Sequence, residues 1–120
     1  MARILIVEDE PQIRLLLEGA FTRAGYEVRV AAQASEAIEI CRSEGFDVLL
    51  SDVVMPGMSG HELAQWVAVH HPGMRTALMS GFDLECEGCA YSPRCELLPK
   101  PFRLTDAVAF VERILAADCH

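Results

Sequence analysis

Arg3-Ile4-Leu5-Ile6-Val7-Glu8-Asp9-Glu10-Pro11 decides the fold: a β-branched apolar run stops at three acids, and a proline follows where proline readily opens a helix. A buried strand feeding a helix is the simplest reading. Downstream, Ile13, Leu16, Leu17, Ala20, Phe21 and Ala24 recur at helical spacing and form one apolar stripe, which Gly25 is placed to terminate. The same grammar then repeats. Tyr26 to Ala31 reads as a second strand, Ala37, Ile38 and Cys41 mark a second helix closed by Gly45, and Phe46 to Ser51 is a third, nearly continuous apolar strand. Ser59-Gly60-His61-Glu62 matches the capping box that opens helices, with Leu63, Trp66, Val67 and His70 expected on the inner face and Pro72 just past the end. Arg75 to Ser80 is a fourth strand, Leu97-Leu98 a very short fifth, and Leu104, Val108, Val111 and Leu115 mark a closing helix.

Alternating strands and helices imply an α/β fold with a parallel sheet, because strands buried on both faces need right-handed helical crossovers to return the chain. The expectation is a doubly wound, five-stranded parallel sheet flanked by helices on both faces. One segment breaks the rhythm: Gly81 to Cys95 holds Gly88 and Pro93 and no sustained apolar period, so the fourth crossover helix is expected to be short, distorted or replaced by a cysteine-containing loop.

The 120 residues suit one domain spanning 1–120, and an apolar content of 52% with 23% charged residues is ordinary for a chain that folds alone. No apolar run approaches the roughly 18 residues a membrane span needs, and Ile4 to Val7 is too short for a signal peptide. With 18 acidic against 10 basic residues, the net charge of −8 works against sequence-independent attraction to nucleic acid or to an anionic membrane. Five cysteines without a secretory signal point to a reducing, cytoplasmic location.

In open α/β sheets the ligand site lies beyond the carboxyl ends of the strands. Those ends carry Glu8-Asp9, Asp52, Ser80 and Lys100 in turn. Three carboxylates brought together repel one another and call for a cation, and Mg²⁺ fits best because it takes one or two carboxylates, waters and phosphate oxygens in octahedral geometry. Taken singly, each feature has a plainer reading: the acids favour a helix N-terminus, Asp52 and Lys100 sit in turns, and Ser80 caps a loop. Their joint occurrence at four strand ends is what argues for chemistry.

Ile4-Leu5-Ile6-Val7-Glu8-Asp9-Glu10-Pro11, Asp52-Val53-Val54-Met55-Pro56-Gly57-Met58-Ser59-Gly60, Ser80-Gly81 and Lys100-Pro101-Phe102, in this order, resemble the receiver domain of bacterial two-component response regulators. The resemblance covers essentially the whole chain and implies a flavodoxin-like sheet. It implies that Asp52 accepts a phosphoryl group, that Glu8, Asp9, Asp52 and the Val54 carbonyl hold Mg²⁺, and that Ser80 and Lys100 contact the bound phosphoryl group. A cis peptide between Lys100 and Pro101 is implied as well. The implied role is phosphorelay signalling rather than turnover of a separate substrate, with a sensor histidine kinase or phosphotransfer protein as donor and an output domain or partner downstream. A homodimer is among the assemblies the resemblance allows; direct contact with nucleic acid or membrane is not implied. Leu97 stands where relatives usually carry an aromatic switch residue, and Val54 and Phe82, both apolar, flank the site where a polar side chain would orient an attacking water.

Cys86, Cys89 and Cys95 offer the alternative function, a metal- or thiol-sensing module on the same scaffold. A C-x-x-C pair chelates Zn²⁺ or forms a redox disulfide, but a closed structural zinc site wants four ligands. Cys119, His120 or a partner chain would have to complete it. His61, His70 and His71 lack ligand spacing and read as surface residues of the third helix, with Trp66 and Cys41 as packing residues.

Overall fold

The apolar opening run forms β1 (Arg3–Val7), and Pro11 is the first residue of α1 (Pro11–Arg23). The computed structural model describes residues 2–55, 57–80 and 96–116. The chain continues through β2 (Glu27–Ala31), α2 (Ala34–Ser43), β3 (Val48–Asp52), α3 (Gly60–His70), β4 (Arg75–Ser80), β5 (Glu96–Pro99) and α4 (Leu104–Ala116). The expected fourth crossover helix and Cys86, Cys89 and Cys95 fall outside the described residues, as do Cys119 and His120.

All strand pairings are parallel, in the order β2-β1-β3-β4-β5. The order reverses direction between β1 and β3, which makes the crevice above their carboxyl ends the natural ligand position. Alternation along each strand separates two cores. Ile4, Ile6, Val48, Leu50, Ala77, Met79 and Leu98 pack against Leu17 and Phe21 of α1 and Ala107, Phe110, Val111 and Ile114 of α4. On the opposite face Leu5, Val7 and Leu49 meet Ala37 and Cys41 of α2 and Leu63 and Val67 of α3.

Local chemistry explains where the helices stop and start. Gly25 takes φ +98°, its N–H bonds the Thr22 carbonyl at 3.1 Å, and the Tyr26 N–H bonds the Phe21 carbonyl at 3.0 Å. This is the glycine C-cap with its accompanying apolar contact, here an edge-on Phe21–Tyr26 pair 5.1 Å between ring centroids. The capping box forms as expected: the Ser59 hydroxyl accepts from Glu62 N–H at 3.2 Å, and the Glu62 carboxylate accepts from Ser59 N–H at 3.1 Å.

Four elements differ from the periodic reading. Asp52 is the last residue of β3 rather than the residue after it, and the strand begins at Val48. In α3, Leu63, Ala64 and Val67 are the buried face. Trp66 is half-buried and packs against the margin of the α2/α3 core, as a packing residue should, while His70 is exposed; the two rings stack at 4.4 Å and the His70 Nδ1 meets the Trp66 carbonyl at 2.9 Å. In α4, Ala107, Phe110, Val111 and Ile114 face inward while Leu104, Val108 and Leu115 lie half-buried at the margin. That helix is apolar on more than one row, and packing against α1 selects the row carrying the large Phe110. Similarly, Leu16 is 55% exposed because Leu17 and Phe21 take the core positions of α1.

Gly60 shows why the third crossover needs a glycine. Its N–H bonds the Val53 carbonyl at 2.8 Å, and a Cβ there would overlap the Asp52 carbonyl oxygen and the Val53 Cα. Gly60→Ala is expected to lower stability by about 1–3 kcal/mol, the usual cost of overpacking against atoms that cannot move aside. Gly73→Ala, with open space around the added methyl, should change little. Urea denaturation of the two variants checks the contrast.

Candidate functional site

The parity that separates the two cores also builds the site. Glu8, Asp52 and Lys100 each lie two residues beyond Ile6, Leu50 and Leu98, which point into the α1/α4 core. Continuing those rows past the strand ends turns the next side chain of each row toward one spot. Lys100 Nζ lies 3.1 Å from Asp52 Oδ2 and 3.3 Å from Glu8 Oε1. Carboxylate oxygens of Glu8, Asp9 and Asp52 all fall within 4.8 Å of one another.

Burial differs sharply among these groups. Glu8 is fully buried and Asp52 nearly so, whereas Asp9 is exposed at the rim and the Lys100 side chain is about a quarter exposed. Glu8 is held from several sides. Its N–H bonds the Ala31 carbonyl at 3.1 Å, and its carboxylate accepts from the Glu10 N–H at 3.1 Å. Its main-chain carbonyl accepts from Arg14 Nη1 at 3.0 Å. The end of β3 is likewise fixed, with Val53 N–H on the Met79 carbonyl at 2.9 Å and the buried Ser51 hydroxyl on the Asp52 carbonyl at 3.0 Å.

Burial, more than any neighbour, pushes the Glu8 carboxyl up to about 7, with the Asp52 charge acting in the same direction against the Glu10 N–H and Lys100. Burial also works to lower the Lys100 pKa, but its hydrogen bonds and charge pairing with Asp52 and Glu8 outweigh that, and the net shift is upward. The lysine is therefore firmly cationic.

The Glu8 shift has a consequence for the metal-free fold. A glutamate that ionises near 4.5 when unfolded but near 7 when folded leaves the native state holding the extra proton in that interval. Stability then falls as pH rises through the window, and the penalty is complete above it. Glu8→Gln, in the presence of chelator, is expected to be more stable than the parent by about 1–3 kcal/mol at pH 8, with the difference fading near pH 5. Denaturation curves at the two pH values decide this.

Of the residues expected at the site, Glu8, Asp9, Asp52 and Lys100 come together. Ser80 ends β4 and pairs with Pro99, next to the Met79–Asp52 pair; its side chain lies outside the described part of the structure. Val54 follows Asp52 by two residues in the turn toward α3, its side chain 61% exposed. The Lys100–Pro101 peptide is cis. Among the described residues, the cluster able to hold a metal is the acidic one. Arg14 and Ser51 are not singled out by the sequence reading, and Gly60 enters it only within the capping box and the Asp52–Gly60 motif, without its close fit against Asp52. Arg14 leaves a trace in sequence, since a cation one turn into a helix opposes the helix dipole and needs another reason to be there.

Residues 4–112 match the response regulator receiver domain family. The chain belongs to the response-regulator receiver family. Receivers serve two-component phosphorelay signalling. This receiver is 36% identical to the response regulator receiver protein CpdR of Brucella abortus, over 98% of this chain and 99% of that one. It is equally 36% identical to the DNA-binding transcriptional regulator NtrC of Escherichia coli, covering 94% of this chain but only 24% of the relative. The chain thus spans about a quarter of the length of the NtrC relatives. Among solved structures, the chemotaxis response regulator CheY4 of Vibrio cholerae superposes with a TM-score of 0.86 at 30% identity, over 95% of this chain and 98% of that one. The response regulator TrrA of Thermotoga maritima, solved in complex with Mg(2+)-BeF, gives 0.81 at 29% identity, over 95% and 99%. The receiver fold and signalling role expected from the strand-end motifs hold, and nothing in these likenesses favours the metal- or thiol-sensing alternative. Among the described residues no helix is long and apolar enough to cross a membrane.

Proposed function

We propose that this receiver takes a phosphoryl group on Asp52 from the phosphohistidine of a sensor kinase or phosphotransfer protein. The observation that carries the reading is the Lys100 ammonium held between Asp52 and Glu8, with Asp9 completing an acidic rim. A carboxylate oxygen of Asp52 attacks phosphorus, the phosphorus–nitrogen bond breaks, and the electron pair leaves with the donor imidazole. Lys100 first orients Asp52 through the 3.1 Å contact, then is placed to meet the negative charge on a transferred oxygen. Ser80, at the neighbouring strand end, is assigned the hydroxyl that accompanies that charge.

The donor set is all carboxylate oxygen, which suits a hard cation such as Mg²⁺. Glu8, Asp9, Asp52 and the Val54 carbonyl would hold the ion, whose chemistry there is neutralisation of phosphoryl-oxygen charge. Zn²⁺ at Cys86, Cys89 and Cys95 has no support from the described residues. Residues 1–120 are read as one receiver domain. A soluble cytoplasmic setting, an output domain or partner downstream, and homodimer formation on phosphorylation belong to the same reading. Added charge at Asp52 would shift the balance between two arrangements of the β4 end.

Incubation with acetyl phosphate and Mg²⁺ is expected to add a single phosphate to the intact mass, and chelation of the metal should prevent it. Equal incorporation with and without chelator would overturn the metal-assisted reading.

A further inference from the structure

We infer that Arg14 is a positioning residue for the acidic rim, acting through the main chain of Glu8, and this rests on the metal-binding reading above. The guanidinium reaches back six residues from α1 to donate to the Glu8 carbonyl at 3.0 Å. Helical side chains lean toward the N-terminus, so the reach is natural for a long side chain on the first turns. Glu8 lies one residue past the last β1 pairing, Val7 with Ala31 and Ser51, where the sheet ladder no longer fixes its carbonyl. Its N–H and its carboxylate are tied by Ala31 and Glu10, and Arg14 supplies the remaining restraint on the peptide that joins Glu8 to Asp9. The turn that must present two adjacent acids in one direction is thereby held at both of its peptide groups.

Position and charge make opposite demands on the same side chain. A cation near an acidic cluster weakens divalent-ion binding by repulsion, so removing it for charge alone would tighten binding. Removing a partner that orients ligands loosens binding, commonly by about 10–100-fold. The sign of the effect therefore separates the two roles.

The test is calorimetric titration of MgCl₂ into the metal-free full chain, comparing the parent with Arg14→Gln and Arg14→Lys. Arg14→Gln is expected to bind Mg²⁺ about tenfold more weakly, and Arg14→Lys, which keeps the charge and a reaching donor, to lie between it and the parent. Acetyl phosphate labelling of Arg14→Gln should return to the parent rate at saturating Mg²⁺, which a general loss of structure would not allow. Binding by Arg14→Gln as tight as the parent's, or tighter, overturns the inference. Should Arg14→Gln not fold, Arg14→Met, which keeps the apolar stem but loses both donor and charge, takes its place, and affinity as tight as the parent's in that variant overturns the inference in the same way. Absence of Mg²⁺ binding by the parent itself would instead remove the metal-site reading and the inference with it.

Discussion

Asp52→Asn is expected to abolish acyl-phosphate formation, lowering incorporation from acetyl phosphate by on the order of 10³-fold or more, the scale of losing a nucleophile. The substitution keeps volume and leaves an amide oxygen for Lys100, now 3.1 Å from Asp52 Oδ2, so the fold should be retained. On the proposed reading it removes the oxygen that attacks phosphorus, and no other described side chain is placed to replace it. Glu8 is fully buried and already shared between the Glu10 N–H and Lys100. Asp9 is exposed and free of that lysine pairing in the described contacts, which makes it the residue to watch. Intact mass spectrometry with peptide mapping reads the result. Full labelling of the Asn variant, or labelling that moves to Asp9 at the parent rate, would show that the acceptor has been misassigned.

Lys100→Met should have the second-largest effect, a fall of about 10²–10³-fold in the rate of phosphorylation at saturating Mg²⁺. That is the magnitude associated with deleting one preorganised group that stabilises charge in the transition state. Methionine preserves the apolar stem while removing the only charge seen to bridge Asp52 and Glu8 among the described residues. The cost to stability is expected to be much smaller than the cost to rate. The lysine head is partly solvated, and its pairing is screened accordingly. Metal binding should move the other way, because a cation no longer competes with Mg²⁺ for the same oxygens. Slower labelling together with tighter Mg²⁺ binding would be the signature of this role. An unchanged labelling rate would remove Lys100 from the transfer step.

These two effects and the Glu8→Gln stabilisation have one origin. Gathering like charges in a nearly dry crevice is unfavourable for the fold, and the same arrangement is what a phosphoryl group with its counter-ion needs. The Glu8 carboxyl, raised to about 7 by burial, measures that tension in the metal-free state. Lys100 relieves part of it.

Much of the architecture was legible along the chain because its signals are local. Apolar runs with β-branched residues marked β1 and β3, Gly25 marked the end of α1, and Ser59 with Glu62 marked the start of α3. Where a helix was apolar on more than one row, as in α4, periodicity could not choose the buried row. Phe110 and Ile114 were placed inward by contact with residues distant in the chain.

The sequence by itself determined the order of strands and helices and put Glu8, Asp9, Asp52, Ser80 and Lys100 at or just past strand ends, since both follow from residue spacing. Only the tertiary structure decided the sheet order β2-β1-β3-β4-β5, the depth at which Glu8 is buried, the grip of Arg14 on its carbonyl and the fit of Gly60 against Asp52. Desolvation depends on what is packed overhead, and close approaches set by a turn, such as Arg14 on Glu8 or Gly60 on Asp52, follow neither the helix nor the strand period and so leave no periodic mark in the sequence.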